Sequence, residues 1–446
     1  MTIATAIRVH TARSVAALLA LTGVTMLPST GVDAQTAQPL PTAAQTDPKT
    51  LGMMQGFPPP PDKTIRFIDG SSLKFPNTRW AFSHIRELVP TANVSRGDGP
   101  VVPLPRAERD LGNVAITTMD GKAITLNDAL QLTYTDGIVV LHKGKIVYEK
   151  YFGEGSAQTP HIAFSVTKSF VGTLAAMLMA NGKLDPEAPV TKYVPELKDT
   201  AYGDATVRQV MDMTIGVKFS ENYSDPNAEV FDYARAGGMV PSAPTYQGPR
   251  SFYAFLVKLQ KEGEHGQAFA YKTANAEILA WIVKRASGQS MAALLSSEIW
   301  SKLGAEHDAY FMVDSIGTES GGGGLNTALR DLARFGEMMR NKGKFNGQQI
   351  IPEAAVADIE KGGKKEDFAK AGYALLKGWS YRDMWWITHN EHNAYTARGI
   401  YGQSIYIDPK AEMVIVRYAS HPMAANAAND PVSLPMYMAV AKELMK

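Results

Sequence analysis

The sequence predicts an α/β protein of the α+β type, in which terminal helices flank an antiparallel sheet that a large helical insertion interrupts. Three observations predict this fold class. Two strand pairs lie far apart in the chain, near residues 145 and 410. Mainly helical patterns separate them, and an apolar-periodic helix closes the chain. Strand pairs separated by a run of helices are typical of a sheet with an inserted helical region.

The first strand pair covers residues 138–141 and 146–151, on either side of a turn-like segment at 142–145. The second pair surrounds Asp408-Pro409-Lys410, and we expect the two pairs to be neighbours in one sheet. The last helix, at 434–445, is expected to cover a face of that sheet. Helices between the strand pairs are predicted over 166–181, 207–213, 251–262, 275–286, 291–303 and 325–341.

The composition fits a globular protein and excludes several function classes. The chain has 446 residues, of which 45% are hydrophobic. Its 45 lysines and arginines balance 44 acidic residues, so the charge provides no general attraction for nucleic acid, and no nucleic-acid partner is expected. Cysteine is absent, which excludes a disulfide, a thiol nucleophile and a cysteine-bound metal.

The N-terminus has the layout of a secretory signal peptide over residues 1–34. Arg8 and Arg13 precede an apolar run at 15–27, and small residues lead to a cleavage site after Ala34. The apolar run is short for a membrane span, so we expect export without stable membrane insertion after cleavage. An uncleaved anchor is the alternative.

The rest of the chain divides into two parts. Residues 35–110 are predicted to be an extended leader and an N-terminal extension, since 35–61 are rich in proline, glutamine, threonine and alanine without a period. The segment 65–105, which includes Trp80 and Phe82, is expected to pack on the main body. The main domain covers 111–446, with a helical subdomain at about 165–340.

Ser165 and Lys168 form an S-x-x-K pattern at the start of an apolar helix. Residues three apart share a helix face, so the amine is within reach of the hydroxyl. Burial and the positive end of the helix both lower a lysine pKa, and a neutral lysine can activate a serine nucleophile. The alternative is that Ser165 only caps the helix and Lys168 is solvated. A second S-x-x-K, Ser71–Lys74, lies among polar residues with no helix after it.

Two further segments have residues that suit such a serine. Tyr271 precedes a predicted helix, so its phenol is placed to relay a proton to a leaving group. Gly399 and Gly402 flank the entry to the last strand pair, where the N–H of Ile400 is placed to donate to an oxyanion beside that of Ser165. A packed loop tyrosine and a plain bulge are the respective alternatives.

Together these segments resemble the serine β-lactamase and penicillin-binding-protein superfamily over roughly residues 113–446. Secondary similarities are NGKLDPEAPVTKYVPEL, VRQVMDMTIGVKF and GGGGLNTALRDLARFGEMM. Within the superfamily the chain is especially similar to class C β-lactamase-like esterases and amidases, such as the 6-aminohexanoate-dimer hydrolases. The resemblance implies a β-lactamase/transpeptidase-like fold, Ser165 as nucleophile, Lys168 as base, Tyr271 as proton relay and Tyr223 as a contact for a substrate amide.

Two departures from the superfamily pattern affect substrate recognition. The chain has Tyr271-Lys272-Thr273 where β-lactamases have Tyr-x-Asn, so the amide that orients substrate is missing. It has Ala397-Arg398-Gly399 in place of Lys-Thr-Gly, so the charge near the substrate comes from Arg398 with a different geometry. We therefore expect weak or no β-lactamase activity, with Arg398 and Gly399 lining the substrate site.

No cofactor or metal is expected. His389-Asn390-Glu391-His392 provides too few ligands for a metal centre and is interpreted as a polar loop. The four glycines at 321–324 precede a helix but lack the lysine and serine of a phosphate loop, and no dinucleotide fingerprint occurs.

The leading hypothesis is an exported serine hydrolase that cleaves a small-molecule amide or ester through an acyl-enzyme. A penicillin-binding protein with D-alanyl carboxypeptidase activity, or a β-lactamase, is the second hypothesis. The third is a catalytically silent binding or sensor module that keeps the fold. The two enzyme hypotheses predict a covalent adduct at Ser165, and the third predicts none.

Overall fold

The structure, a computed structural model, describes residues 40–446. The predicted signal peptide at 1–34 therefore lies outside the described residues. Within 40–446, no helix combines the length and the apolar character needed to cross a membrane.

The main sheet has seven antiparallel strands. They are β4 Thr135–His142, β5 Lys145–Tyr151, β11 Ser380–Arg382, β12 Trp385–Ile387, β13 Tyr395–Gly399, β14 Gln403–Asp408 and β15 Met413–Ala419. Their order across the sheet is β11-β12-β13-β14-β15-β4-β5. Both predicted strand pairs are in it, as β4–β5 and β14–β15, and β15 pairs with β4. The predicted neighbouring hairpins and the α+β fold class are confirmed.

Both faces of the central strands are buried, and successive apolar residues of a strand pack on opposite faces. In β4, Val139 and Leu141 pack into one hydrophobic cluster, and Ile138 and Val140 into another on the opposite face. This arrangement follows from the two-residue period of a strand and explains why residues 138–141 of β4 are an unbroken apolar run. The β4–β5 turn contains Gly144 at φ 74°, a conformation that glycine adopts without strain.

A second sheet has four antiparallel strands in the order β1-β7-β8-β6, and two short hairpins complete the strands of residues 40–446. The strand β1 belongs to the N-terminal extension and pairs along its length with β7. These strands are β1 Thr91–Val94, β2 Ala115–Thr117, β3 Ala123–Thr125, β6 Pro160–Ile162, β7 Ala309–Met312, β8 Leu325–Ala328, β9 Lys344–Phe345 and β10 Gln348–Gln349.

Helices cover both faces of the main sheet. The α-helices of residues 40–446 are α1 Thr78–Ala81, α2 Ile85–Leu88, α3 Leu126–Leu132, α4 Val166–Ala180, α5 Val207–Met211, α6 Glu229–Ala236, α7 Phe252–Leu256, α8 Thr273–Ser287, α9 Met291–Leu295, α10 Leu329–Arg340, α11 Glu353–Lys361, α12 Lys365–Ala369 and α13 Asp430–Leu444. The helices α3 and α13 pack on one face, and α4 and α10 on the other. The predicted C-terminal cover is thus α13.

Three predicted helices differ from the structure. The helix predicted at 251–262 stops at Leu256, because Lys261 forms a bridge with Val217. The helix predicted at 291–303 is α9 followed by a π-helical turn. The first residues of the helix predicted at 325–341 are the strand β8, whose neighbours β6 and β7 are distant in sequence and invisible to a local pattern.

The N-terminal extension belongs to the same compact unit as the rest of residues 41–446. The sequence predicts an extended leader over residues 35–61. Within it, however, residues 43–54 form turns, and Ala43, Thr46 and Met53 are buried. Arg79 holds this segment, since its guanidinium donates to the Ala43 carbonyl at 2.8 Å and the Thr46 hydroxyl at 3.1 Å. Proline and threonine content therefore does not make this segment a free linker.

Candidate active site

Ser165 stands at the entrance of α4, but its hydroxyl does not cap the helix. The side chain makes no capping hydrogen bond, and Oγ instead lies 2.8 Å from Lys168 Nζ. The preceding residue, Phe164, has φ 43°, in the left-handed region where a bulky side chain is strained. The structure thus contradicts the helix-cap alternative, and it presents the hydroxyl from a strained turn.

Lys168 is almost completely buried, and this burial determines the pKa of its amine. Its Nζ contacts Ser165 Oγ and donates to the Gly322 carbonyl at 2.6 Å. Burial lowers the pKa of Lys168 to about 8, and the carboxylates of Glu221 and Glu277 oppose this shift. A substantial fraction of the amine is therefore neutral at mildly alkaline pH, as a base for Ser165 requires.

The loop whose Gly322 carbonyl accepts from Lys168 is held by Glu277, a residue that the sequence did not single out. The Glu277 carboxylate accepts from Gly321 N–H at 3.0 Å, Gly322 N–H at 2.8 Å and the Tyr233 hydroxyl at 2.6 Å. Glycine is required at 322, because a Cβ there would lie 2.5 Å from the Thr273 methyl group. Glu277 thus positions the loop that anchors Lys168.

Tyr271 lies beside Ser165 and Lys168, two residues before α8. Its ring centroid is 5.1 Å from Lys168 Nζ, and the ring packs on Trp386. Burial, followed by the carboxylate of Glu221, raises the pKa of Tyr271 well above its usual value. The phenol therefore keeps its proton and is suited to donate it.

The end of β13 lies directly against the turn that holds Ser165. A Cβ on Gly399 would be 2.6 Å from the Ala163 carbonyl oxygen and 3.1 Å from Ser165 N, so only glycine allows this approach. Within residues 40–446, neither the Ser165 N–H nor the Ile400 N–H donates a backbone hydrogen bond. Both N–H groups are therefore available to a developing oxyanion.

Tyr223 lines the cleft together with Glu221. The Tyr223 hydroxyl donates to the Glu221 carboxylate at 2.9 Å, and the same carboxylate accepts from the N–H and hydroxyl of Thr273 at 2.6 and 2.7 Å. The polar loop predicted at Tyr223 is thus fixed to the start of α8. Glu221 is a second site residue that had no signal in the sequence.

Arg398 lines the cleft, but its guanidinium is paired with a carboxylate and is not the free positive charge that the sequence predicts. Its guanidinium forms an ion pair with Asp430 at 2.5 Å and lies over the rings of Trp379 and Trp386. The charge of Arg398 is therefore neutralised by a carboxylate from α13, which the local sequence around Arg398 could not reveal. Lys272 is also directed elsewhere, since its ammonium donates to the Val217 carbonyl.

The cleft has two arms that meet at Ser165, Tyr223 and Ile400. We call the first the apolar arm; it lies between the N-terminal extension and α6, and Phe82, Ile85, Phe231, Ala234, Met239 and Val240 are among its lining residues. We call the second the aromatic arm; its lining residues include Glu221, Tyr271, Tyr373, Trp386, Arg398 and Asp430. A substrate carbonyl at Ser165 therefore has space on both sides.

The other motifs do not form comparable sites. The Ser71 hydroxyl is engaged by the Arg66 backbone, and Lys74 is exposed. His389 contacts Ser380 at 2.7 Å, whereas His392 contacts Asp408 at 2.7 Å. No group of three or more metal-ligating side chains occurs in the part of the chain that the structure describes.

Comparison with known proteins identifies the family of the chain. The model of the Beta-lactamase family matches residues 133–431. The chain belongs to the β-lactamase family. The 6-aminohexanoate-dimer hydrolase of Paenarthrobacter ureafaciens is 37% identical over 352 residues, which cover 78% of this chain and 86% of that enzyme.

Solved structures show the same relationship for this β-lactamase family member. A Bacillus anthracis protein provisionally named a 6-aminohexanoate-dimer hydrolase superposes with a TM-score of 0.77 at 34% identity, covering 84% of this chain and 96% of that chain. A family VIII carboxylesterase shares the fold with a TM-score of 0.53 at 18% identity, over 69% of this chain and 92% of that chain. The chain is thus a serine hydrolase of the β-lactamase superfamily, and the predicted resemblance and fold are confirmed.

Proposed function

We propose that this serine hydrolase cleaves a short amide or ester of a small molecule through an acyl-enzyme on Ser165. The observation that carries the proposal is the buried contact between Lys168 Nζ and Ser165 Oγ, at the junction of the two cleft arms. A hydroxyl beside a lysine whose pKa is lowered by burial is an activated nucleophile.

In the proposed mechanism, neutral Lys168 takes the proton of Ser165 as Oγ attacks the substrate carbonyl. The N–H groups of Ser165 and Ile400 stabilise the resulting oxyanion. Tyr271 gives its proton to the leaving nitrogen or oxygen, the carbon–heteroatom bond breaks, and Lys168 returns a proton to the phenolate. Water then attacks the acyl-enzyme ester on Ser165 through the same proton transfers, which releases the acid and restores the Ser165 hydroxyl. The similarity to a 6-aminohexanoate-dimer hydrolase supports an amide substrate, although esters follow the same steps.

The test is covalent labelling of the purified protein with a fluorophosphonate, followed by peptide mapping and by turnover of p-nitrophenyl esters and linear amides. We expect one adduct on Ser165, and none in Ser165→Ala or Lys168→Met. Lys74→Met is the matched control, because Lys74 belongs to the other S-x-x-K and is exposed. An unaltered adduct in Lys168→Met would remove the lysine from the mechanism.

The same experiment separates the alternatives. A fluorescent penicillin that labels Ser165 would favour a penicillin-binding protein or β-lactamase. Pairing of Arg398 with Asp430 is unfavourable for that function, because a β-lactam carboxylate would have to compete with Asp430 for the guanidinium. Folded protein that forms no adduct with any of these reagents would support the binding or sensor module.

Export is a separate part of the proposal and rests on the charged and apolar pattern of residues 1–34. We expect the mature protein to begin at Gln35. The intact mass of protein recovered from the periplasm or the medium of an expressing bacterium tests this, and an uncut N-terminus on membrane-bound protein would support the anchor instead.

A further inference from the structure

The two arms of the cleft differ in their relation to the proton donor. Ser165 lines both arms, whereas Tyr271 lines only the aromatic arm. Under the proposed function, Tyr271 protonates the leaving group, so the leaving group occupies the aromatic arm. The acyl part of the substrate must then extend into the apolar arm on the other side of Ser165.

The apolar arm has no side chain that would pair with a charged acyl group. None of the residues that line it is Asp, Glu, Lys, Arg or His. Three of its hydroxyls are already engaged, that of Tyr233 by Glu277 and those of Tyr223 and Thr273 by Glu221. The hydroxyls of Ser72 and Thr78 are buried and have no hydrogen-bond partner within residues 40–446, but they are uncharged. An ammonium placed in this arm would lose its hydration and gain only neutral hydroxyl acceptors, with no counter-charge, which is unfavourable.

Aromatic and aliphatic side chains from the N-terminal extension and from α6 form much of the walls of this arm. Phe82 and Ile85 come from the N-terminal extension, and Phe231 and Ala234 come from α6. Phe82 packs edge-to-face on Phe164, the strained residue next to the nucleophile, with ring centroids 4.9 Å apart. The apolar surface therefore continues up to the reacting carbonyl.

We propose that the enzyme selects substrates whose acyl part is an uncharged hydrocarbon chain, bound in the apolar arm. The inference rests on the proposed function, because the arm is assigned to the acyl part through the position of Tyr271. Each methylene that enters the arm is expected to raise kcat/KM about fourfold until the arm is filled. An acyl chain that ends in an ammonium is expected to be discriminated against.

The test uses p-nitrophenyl esters with one leaving group and different acyl chains. The straight-chain series from the acetate to the decanoate ester measures how kcat/KM depends on chain length. Comparison of the hexanoate ester with the 6-aminohexanoate ester measures the effect of the terminal ammonium on kcat/KM. We expect kcat/KM to rise by at least tenfold from acetate to octanoate, and hexanoate to exceed 6-aminohexanoate by at least tenfold. A flat series, or a preference for the ammonium ester, would overturn the inference.

Variants locate the selectivity in the apolar arm. Ala234→Trp should fill the arm and reduce the octanoate-to-acetate ratio of kcat/KM by at least tenfold. Ala293→Trp is the matched control, since Ala293 is exposed on α9 and lines neither arm, and its ratio should stay at the wild-type value. An unchanged ratio in Ala234→Trp would contradict the assignment.

A second variant covers the case in which Ala234→Trp does not fold. Val240→Glu places a carboxylate in the arm from a half-buried loop position and should shift selectivity toward 6-aminohexanoate at least tenfold. No shift in a folded Val240→Glu would overturn the inference. Failure of the proposed function gives a different result, namely no Ser165 adduct and no turnover of any ester, whereas turnover without chain selectivity refutes only the inference.

Discussion

At the scale of single residues, Lys168 determines how the proposed reaction depends on pH. Burial lowers the pKa of its amine to about 8, and only the neutral amine can accept the Ser165 proton. The acylation rate should therefore rise with pH, level off above about pH 8, and fall about tenfold per unit on the acid side. Single-turnover acylation by a p-nitrophenyl ester between pH 6 and 10 measures this. A rate that stays constant across this range would contradict the role of Lys168 as base.

Glu277 should influence the same pH profile from behind the site. Its carboxylate holds the Gly321–Gly322 backbone and raises the pKa of Lys168. In Glu277→Gln we expect acylation to slow by about 10- to 100-fold, because the loop that anchors Lys168 moves. We also expect the acid limb of the profile, the range in which the rate falls with decreasing pH, to shift to lower pH, because the pKa of Lys168 loses a carboxylate that raises it. An acid limb that stays in place would reduce Glu277 to a structural role.

The control for this variant is Glu319→Gln. Glu319 is another buried glutamate of the same loop region, but it accepts from the Ala292 N–H and pairs with Lys284, away from Lys168. We expect Glu319→Gln to lower the melting temperature without moving the acid limb. Comparison of the two variants separates the electrostatic effect on Lys168 from general loosening of the loop.

The sequence predicted site residues where the chemistry and the local pattern coincide. Ser165 and Lys168 were identifiable because the S-x-x-K stands at the start of an apolar helix. Glu277 was not identifiable, because a glutamate inside an apparently amphipathic helix is usually a surface charge. Its partners Gly321 and Gly322 are also 44 and 45 residues away in the sequence. The ion pair of Arg398 could not be predicted for the same reason, since Asp430 is distant in sequence.

At the scale of secondary-structure elements, the β11–β12 turn supports α4, the helix that begins directly after Ser165. Gly172 of α4 lets the turn approach closely, because a Cβ there would lie 2.0 Å from the Asp383 carbonyl oxygen. The Ser169 hydroxyl donates to the Met384 carbonyl at 2.8 Å in the same contact. Arg208 of α5 pairs with Asp383 of this turn at 2.5 Å and with Asp358 of α11 at 2.9 Å, so it links the turn to both helices.

Removal of Arg208 should destabilise the protein more than removal of an exposed arginine. Burial raises the pKa of Asp383 well above its usual value, and repulsion by Asp212 adds to the shift while Arg208 opposes it. In Arg208→Met the buried carboxylates lose a partner, so unfolding should require about 3–5 kcal/mol less at pH 7. The loss should shrink toward pH 5, because a carboxylate with a raised pKa binds its proton in the folded state first.

Urea unfolding at pH 7 and pH 5 measures this difference. Arg285→Met is the control, since Arg285 and Glu196 form an exposed pair whose loss should cost less than about 1 kcal/mol. Equal costs for the two variants would show that the cluster around Arg208 does not hold the turn against α4.

The elements that the sequence predicted well are those with a clear period and a local stop signal. The helix α4 ends at Asn181-Gly182 as expected, and α8 ends at Gly288 in the left-handed conformation. The strand β8 was missed because Leu325–Ala328 continues the apolar pattern of α10 without a break. Pairing with β6 and β7 determines its conformation, and that information is not local.

At the scale of the whole molecule, the N-terminal extension is joined to the main body by a buried ion pair. Arg79 lies 3.3 Å from Asp136 of β4, and His161 contacts the same carboxylate at 3.3 Å. The strand β1 adds a continuous ladder with β7, and Phe82 packs against the site through Phe164. The extension is therefore a wall of the active site and part of the fold that holds it.

This integration predicts that the extension and the main body unfold together. Because the chain has no native cysteine, Lys74→Cys, at an exposed position of the extension, provides a single site for a fluorescent label. We expect the label and far-UV circular dichroism to report coincident urea transitions, as a two-state unit requires. In Arg79→Met both transitions should move together to lower urea, since Asp136 loses its buried partner at a cost of about 3 kcal/mol or more. An earlier transition of the label alone would show that the extension is a separately folding attachment.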